Sequence, residues 1–571
     1  MARIVLLFLA MLTSVFGNST VILKTKLGYV KGISSSFTFN NYSRNYNEFR
    51  NIPFAKPPVG GLRFHQPVPY GAWSDIYDAT RFGPSCIQSV NGMVDQYVPN
   101  TNTSEDCLVL NIYVPSGFSE SNAKSVIIWV HGGGYYLGQG MFYDGSFLSS
   151  IGDVIVVTIN YRLGVFGFFS TMDDVALGNY GLWDQKMAIK WVHDNIESFG
   201  GDPNSVTIAG QSAGAFSVAL QALNPANKGL FHRVIAQSGA SNSVIAMSTA
   251  ARKNAKLLSR TVHCNDSLTK ETLACLRNKT AKQLLEAFNT IPTSTYTINN
   301  STDVYFDIPF APVIDGVFLK QSPQNILYGR QSPGLEFYKS LDVIFGGCEL
   351  EGIAIAYGIK EIQSKLSFNI SEGIPSDFFR NHIIPVVVKQ YFNNLSALES
   401  DINTQYSSSI SPKEQALNVV NLYSDLFFYF PEILSLKFHA SGNQNRKQYL
   451  YSFKPHSIFS KQMSALFPWY KANGHGADLY FLFPFRGQES NLTTADRIIG
   501  TMLMENVNGP GLVHWPTYNE TTKKYALLDL NTVIKSNLYG NRMDFWSTVM
   551  NLHQPGPTTP CSRPECILGR K

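Results

Sequence analysis

Residues 205–220 read Ser-Val-Thr-Ile-Ala-Gly-Gln-Ser-Ala-Gly-Ala-Phe-Ser-Val-Ala-Leu. A short β-branched apolar run leads into Gly-x-Ser-x-Gly, and an apolar stretch able to form a helix follows. Strand, tight turn and helix in that order are the setting of a nucleophile elbow, which lifts one serine above the end of a sheet with its backbone in a strained conformation. Small neighbours are required, because side chains there would collide; Gly210 and Gly214 supply the space. The Ala213 N–H, at the start of the helix, then points at any oxyanion formed beside Ser212. Five-residue patterns occur by chance in long chains. The strand–turn–helix context gives this one its weight.

A second element stands upstream. Val126-Ile-Ile-Trp-Val130 reads as a buried strand and runs into His131-Gly-Gly-Gly134. Three glycines after a strand can be a flexible loop. Upstream of a nucleophile elbow, they more readily supply the other half of an oxyanion hole, as in lipases and esterases. Glycine lets backbone N–H groups approach a substrate oxygen with no Cβ in the way. Gly133, Gly134 and Ala213 are therefore the expected donors.

Further motifs recur in order along the chain: Asn51-Ile-Pro-Phe-Ala-Lys-Pro-Pro-Val-Gly60, Ser104-Glu-Asp-Cys-Leu-Val-Leu-Asn111, Asn160-Tyr-Arg162, Gly178-Asn-Tyr-Gly-Leu-Trp-Asp-Gln185, Phe199-Gly-Gly-Asp-Pro203, Gln237-Ser-Gly239, Pro312-Val-Ile-Asp-Gly316 and Gly474-His-Gly-Ala-Asp-Leu479. With these, the chain resembles the type-B carboxylesterases, the cholinesterase-like branch of the α/β-hydrolases. The resemblance implies an α/β fold with a mostly parallel central sheet flanked by helices, in a single large catalytic domain over residues 18–555. It also implies a Ser–acid–His triad in that chain order. The acid would be Glu351 in Gly346-Gly-Cys-Glu-Leu-Glu351-Gly352, and the base His475. Glu349 lies two residues from Glu351, and the family's Glu-Gly pairing favours Glu351. Ser238 would be a buried hydrogen-bonding support near the triad. His131 is read as structural, and His193, His263 and His514 as surface or core residues.

The resemblance also implies two disulfides, Cys86–Cys107 and Cys264–Cys275. Of the seven cysteines, Cys348 is expected to be a buried free thiol; Cys561 and Cys566 could pair with each other or bridge two chains. In cholinesterases an indole holds the choline ammonium by a cation–π contact. Ungapped counting puts Tyr97 at that position, Phe306 and Ile308 at the acyl pocket, and Ile355 at another gorge aromatic. Gln211 stands before the nucleophile where many relatives carry Glu. Fewer rings and one charge fewer suggest a wider apolar pocket for uncharged esters.

Composition limits the alternatives. The net charge of +5 over 571 residues includes no dense basic block, which argues against nucleic-acid binding. No Cys/His cluster has metal-ligand spacing, and no cofactor motif occurs, so no metal and no cofactor are expected. Met1-Ala-Arg followed by Ile4–Phe16 has the form of a signal peptide ending near residue 17, too short for a comfortable membrane span, with an uncleaved anchor as the alternative. No later stretch is long and apolar enough to cross a bilayer. Residues 556–571 form a short polar tail without the hydrophobic end of a lipid-anchor signal. Asn41, Asn102, Asn265, Asn278, Asn300, Asn369, Asn394, Asn491 and Asn519 each begin an Asn-x-Ser/Thr sequon. The expectation is a secreted, glycosylated carboxylic-ester hydrolase acting on a small-molecule ester through an acyl-enzyme, its oligomeric state unspecified. Two rivals are a catalytically inactive adhesion or hormone-precursor module on the same fold, and a neutral lipase or sterol esterase. An intact triad argues against the first; lack of activation at a lipid–water interface would exclude the second.

Overall fold

The computed structural model describes residues 19–39, 42–89, 102–117, 122–291, 308–329, 332–392, 395–407, 411–442, 445–483, 508 and 512–552. The expected leader (1–17) and tail (556–571), with Cys561 and Cys566, lie outside them.

A 13-stranded sheet forms the centre. Its numbered strands are β1 (Ser19–Thr25), β2 (Gly28–Phe39), β3 (Tyr42–Pro53), β4 (Val109–Pro115), β5 (Lys124–Val130), β6 (Ile155–Ile159), β7 (Gly201–Gln211), β8 (Arg233–Gln237), β9 (Asp342–Cys348), β10 (Gln448–Phe453), β11 (Lys524–Leu528) and β12 (Val533–Ser536); the short strand Tyr77–Asp78 pairs with β2. The spatial order is β1-β2-β3-β4-β6-β5-β7-β8-β9-β10-β11-β12. Pairing is parallel from β6 through β11 and antiparallel at both flanks.

The central strands are short, continuous apolar runs such as Val-Ile-Ile-Trp-Val and Ile-Val-Val-Thr-Ile, as befits a parallel sheet covered on both faces. Their alternation divides the interior in two. Val126, Ile128 and Val130 of β5 join the larger apolar cluster, together with Ile208, Val234 and Val343. Ile127 and Trp129 join the other, with Ala209, Ile235, Tyr449 and Tyr451. The helices Tyr180–Asn195 and Ala213–Ala222 bury apolar faces in the larger cluster.

Register places the site. Gly210 of β7 pairs with Val130 of β5, Gln211 with Gln237 of β8, and Gln237 with Gly346 of β9. The glycine loop, the elbow, Ser238 and the acid loop therefore all leave the carboxyl ends of adjacent parallel strands, where open α/β sheets form their ligand crevices.

Candidate active site

Strand β7 ends at Gln211 and the helix begins at Ala213, so Ser212 makes the whole turn, with φ 58° and ψ −123°. A non-glycine residue at that φ is strained and persists only where its surroundings hold it. Here the Ser212 N–H donates to Gln237 O at 2.9 Å, and the Phe216 N–H donates to Ser212 O at 2.9 Å. The elbow packs directly on β5: a Cβ on Gly214 would stand 2.0 Å from Val130 O, and one on Gly210 would stand 2.6 Å from the Gly214 backbone. Neither position has room for a side chain. Ser212 itself is half-buried and reachable from outside.

Of the two candidate acids, Glu351 is the one that touches His475. Glu351 is fully buried, and its Oε2 accepts from Nδ1 of His475 at 2.6 Å. Its other oxygen accepts from Ser238 Oγ at 2.6 Å and from the Cys348 N–H. Glu349 is half-buried, and its carboxyl is raised by desolvation. Ser238, also at a positive φ of 58°, thus holds the oxygen of Glu351 that faces away from His475. Nε2 of His475 faces the Gln211 side-chain amide at 3.3 Å. No hydrogen bond joins the Ser212 hydroxyl to His475 among the described residues.

Gly133 and Gly134 are half-buried at the mouth of the site, and Ala213 is the first residue of the elbow helix. None of their three N–H groups has an acceptor among the described residues. Native structures rarely leave such donors idle without a ligand or water. His131 is fully buried, stacked on Tyr161 with 4.4 Å between ring centroids, and desolvation pushes it down to about 4. It stays neutral and structural.

Three side chains around the pair were not legible as site residues. Phe428 packs on the His475 ring at 4.8 Å, carried by the π-helical turn Asp425–Tyr429. Asp478, three residues after the base, accepts from Gln237 Nε2 at 2.9 Å and Tyr451 OH at 3.3 Å; burial, then the Glu351 charge, push its carboxyl up to about 6. Glu432 accepts from the Gly239 N–H at 2.8 Å, and burial with the Glu351 charge raises it well above the carboxylate range. One signal for Glu432 existed: a lone acid in the apolar run Leu426-Phe-Phe-Tyr-Phe-Pro-Glu432-Ile-Leu must be partnered if it is buried.

The expected pocket residues fare differently. Ile308 and Ile355 are buried in the larger apolar cluster; Tyr97 and Phe306 lie outside the described residues. Both expected disulfides are present, with S–S distances of 2.03 Å for Cys86–Cys107 and 1.98 Å for Cys264–Cys275, and Cys348 is free and buried. None of the described helices is long and apolar enough to cross a membrane.

Comparison with known proteins gives the family. Residues 19–546 match the model of the carboxylesterase family. The chain is 32% identical over 582 residues to rat (Rattus norvegicus) liver carboxylesterase 1F, covering 96% of this chain and 98% of that protein. It is 30% identical over 553 residues to mouse (Mus musculus) carboxylesterase 1D, covering 93% and 94%. With dog (Canis lupus familiaris) carboxylesterase 5A it shares 31% over 572 residues, covering 95% and 92%. The chain belongs to the carboxylesterase family of α/β-hydrolases and to its class of carboxylic-ester hydrolases.

Proposed function

We propose that this chain is a secreted serine esterase that cleaves uncharged carboxylic esters through an acyl-enzyme. The observation that carries this reading is the His475–Glu351 contact at 2.6 Å beside a serine held at a strained elbow. In this scheme Ser212 Oγ attacks the ester carbonyl and His475 Nε2 takes its proton. Glu351 holds the imidazole with its proton on Nδ1 and stabilises the imidazolium. The N–H groups of Gly133, Gly134 and Ala213 receive the oxyanion; loss of one such donor typically costs about 3–4 kcal/mol of barrier. His475 then gives the proton to the leaving alcohol, and water hydrolyses the acyl-Ser212 by the same route.

Secretion is supported by the signal-like N-terminus and by the two disulfides, which persist in oxidising compartments. Asn102, Asn265, Asn278, Asn369 and Asn519 are all exposed, as glycan acceptors must be. The preference for uncharged esters rests on Gln211, an amide where many relatives carry a carboxylate, and on Ile355, an aliphatic at an expected ring position.

The test is a series of p-nitrophenyl esters of increasing acyl length, with acetylthiocholine set beside a neutral isosteric thioester. Butyryl or longer esters should be cleaved at least as well as acetyl. A tenfold or greater advantage in kcat/KM for the cationic substrate would replace this reading by a cholinesterase one. An organophosphate should add its mass to the peptide carrying Ser212; labelling elsewhere with Ser212 untouched would overturn the assignment.

A further inference from the structure

One contact in the site goes unused by the ester-hydrolysis scheme. Gln211 closes β7 and turns its amide to 3.3 Å from Nε2 of His475, the nitrogen that must take the Ser212 proton. Gln211 is 4% exposed. Its amide lies where three loops meet: a Cβ on Gly132 would stand 3.0 Å from its Oε1, and one on Gly476 would stand 3.6 Å from its Nε2. The glycine loop, the elbow and the base loop thus converge on this one side chain.

Resting on the ester-hydrolase reading above, we propose that Gln211 is a positioning residue that holds His475 as a neutral imidazole facing the elbow, and yields Nε2 to Ser212 when substrate binds. With Nδ1–H given to Glu351, Nε2 carries a lone pair, and the amide NH₂ donates to it. An amide proton is not transferable here, so the contact aims the ring without spending its basicity. When Ser212 attacks, its O–H bond breaks, the Oγ–carbon bond forms, the carbonyl electron pair moves to oxygen and the proton goes to Nε2. A half-turn of the amide would then offer Oε1 to the N–H of the imidazolium. Glutamine can partner either protonation state, whereas a carboxylate can partner only the charged one.

The charged surroundings make this distinction matter. Glu351 meets Nδ1 and Asp478 lies three residues along the same loop, while Glu432, behind Glu351, is raised well above the carboxylate range by burial and the Glu351 charge. Phe428 covers the ring from the π-helical turn. A further carboxylate at position 211 would bias the base toward imidazolium before the serine is ever deprotonated.

The experiment compares pH profiles of kcat/KM on a neutral p-nitrophenyl ester for wild type, Gln211→Glu and Gln211→Met. In Gln211→Glu the acidic limb should move up by about one pH unit or more, since a carboxylate beside the ring favours its charged form. Gln211→Met has similar volume but no donor for Nε2; its limb should stay within a few tenths of wild type, with kcat lowered three- to tenfold at all pH and KM kept. An unmoved limb in the Glu variant, or a Met variant with wild-type kcat, overturns the proposal. If the Glu variant fails to fold, the kcat of the Met variant decides alone. Wild-type turnover and Ser212 labelling are measured first. Their absence would sink the ester-hydrolase reading, whereas a failed variant result beside an active wild type sinks only the role of Gln211.

Discussion

Leu350 and Gly474 form an isolated parallel bridge, with the Leu350 N–H donating to Asn473 O at 2.9 Å. It joins the residue before the acid to the residue before the base. The two halves of the Glu351–His475 pair come from loops 124 residues apart in sequence, and this bridge ties the two loops together next to the pair. A Cβ on Gly474 would meet Tyr470 Oη at 2.6 Å and Ile353 Cγ2 at 2.8 Å. Gly474→Ala should therefore push the base loop away from the acid loop while sparing the sheet. A displacement near 1 Å can cost about 10²-fold in rate. We expect kcat to fall by that order with a nearly unchanged circular dichroism spectrum; wild-type kcat in this variant would mean that the bridge does not hold the pair.

Ser212→Ala and His475→Ala should each remove nearly all turnover, and the double variant should be little worse than either. A nucleophile and its base act as a unit, so their losses do not add. Single-turnover assays on a p-nitrophenyl ester measure this. Additive losses in the double variant would show that the two side chains work independently.

Ser238→Ala tests the support of the acid. Ser238 Oγ donates to Glu351 Oε1 at 2.6 Å in a fully buried site. A hydrogen bond to a charged group contributes about 1.5–3 kcal/mol. The Cys348 N–H remains on the same oxygen, so the lower end applies: roughly a tenfold drop in kcat, with KM unchanged. A variant altered in KM alone would place Ser238 against substrate, not behind the acid.

Local chemistry explains which parts of the site the chain discloses. The elbow and the glycine loop demand glycine at close spacing, because backbones approach within 2.0–2.6 Å of where a Cβ would stand at Gly214 and Gly210; such demands are written in five consecutive letters. The candidate nucleophile, acid and base sit in short motifs whose order along the chain matches the carboxyl ends of β7 and β9 and the loop beyond β10. The parallel core strands are legible as apolar runs. Contacts between distant segments are another matter. Gln211 and His475 are 264 residues apart, and nothing in Gly-Gln-Ser-Ala-Gly says that the amide points at a ring. Phe428 reaches His475 through a π-helical turn, whose extra residue shifts the apolar face out of ordinary helical periodicity. Ile308 and Ile355 show the limit of ungapped counting. Both are apolar and buried, as a gorge or a core would equally require.

Asp478 carries a cost that pH should reveal. Its carboxyl is fully buried and raised from 3.8 to about 6, by desolvation first and the Glu351 charge second. A carboxyl raised in the folded state holds its proton there more tightly than in the unfolded chain. Between about pH 4 and pH 6 the native state then binds more protons, so stability falls as pH rises through this window and stays lower above it. At about 1.4 kcal/mol per pKa unit, the full penalty is about 3 kcal/mol at most. Asp478→Asn removes the ionisation and keeps an oxygen for the Gln237 and Tyr451 donors. The variant's melting temperature should match wild type near pH 4 and exceed it by about 2 °C at pH 7. Thermal scans across that range measure the difference; an offset that stays constant with pH would mean that Asp478 is not protonated when the native chain crosses pH 5.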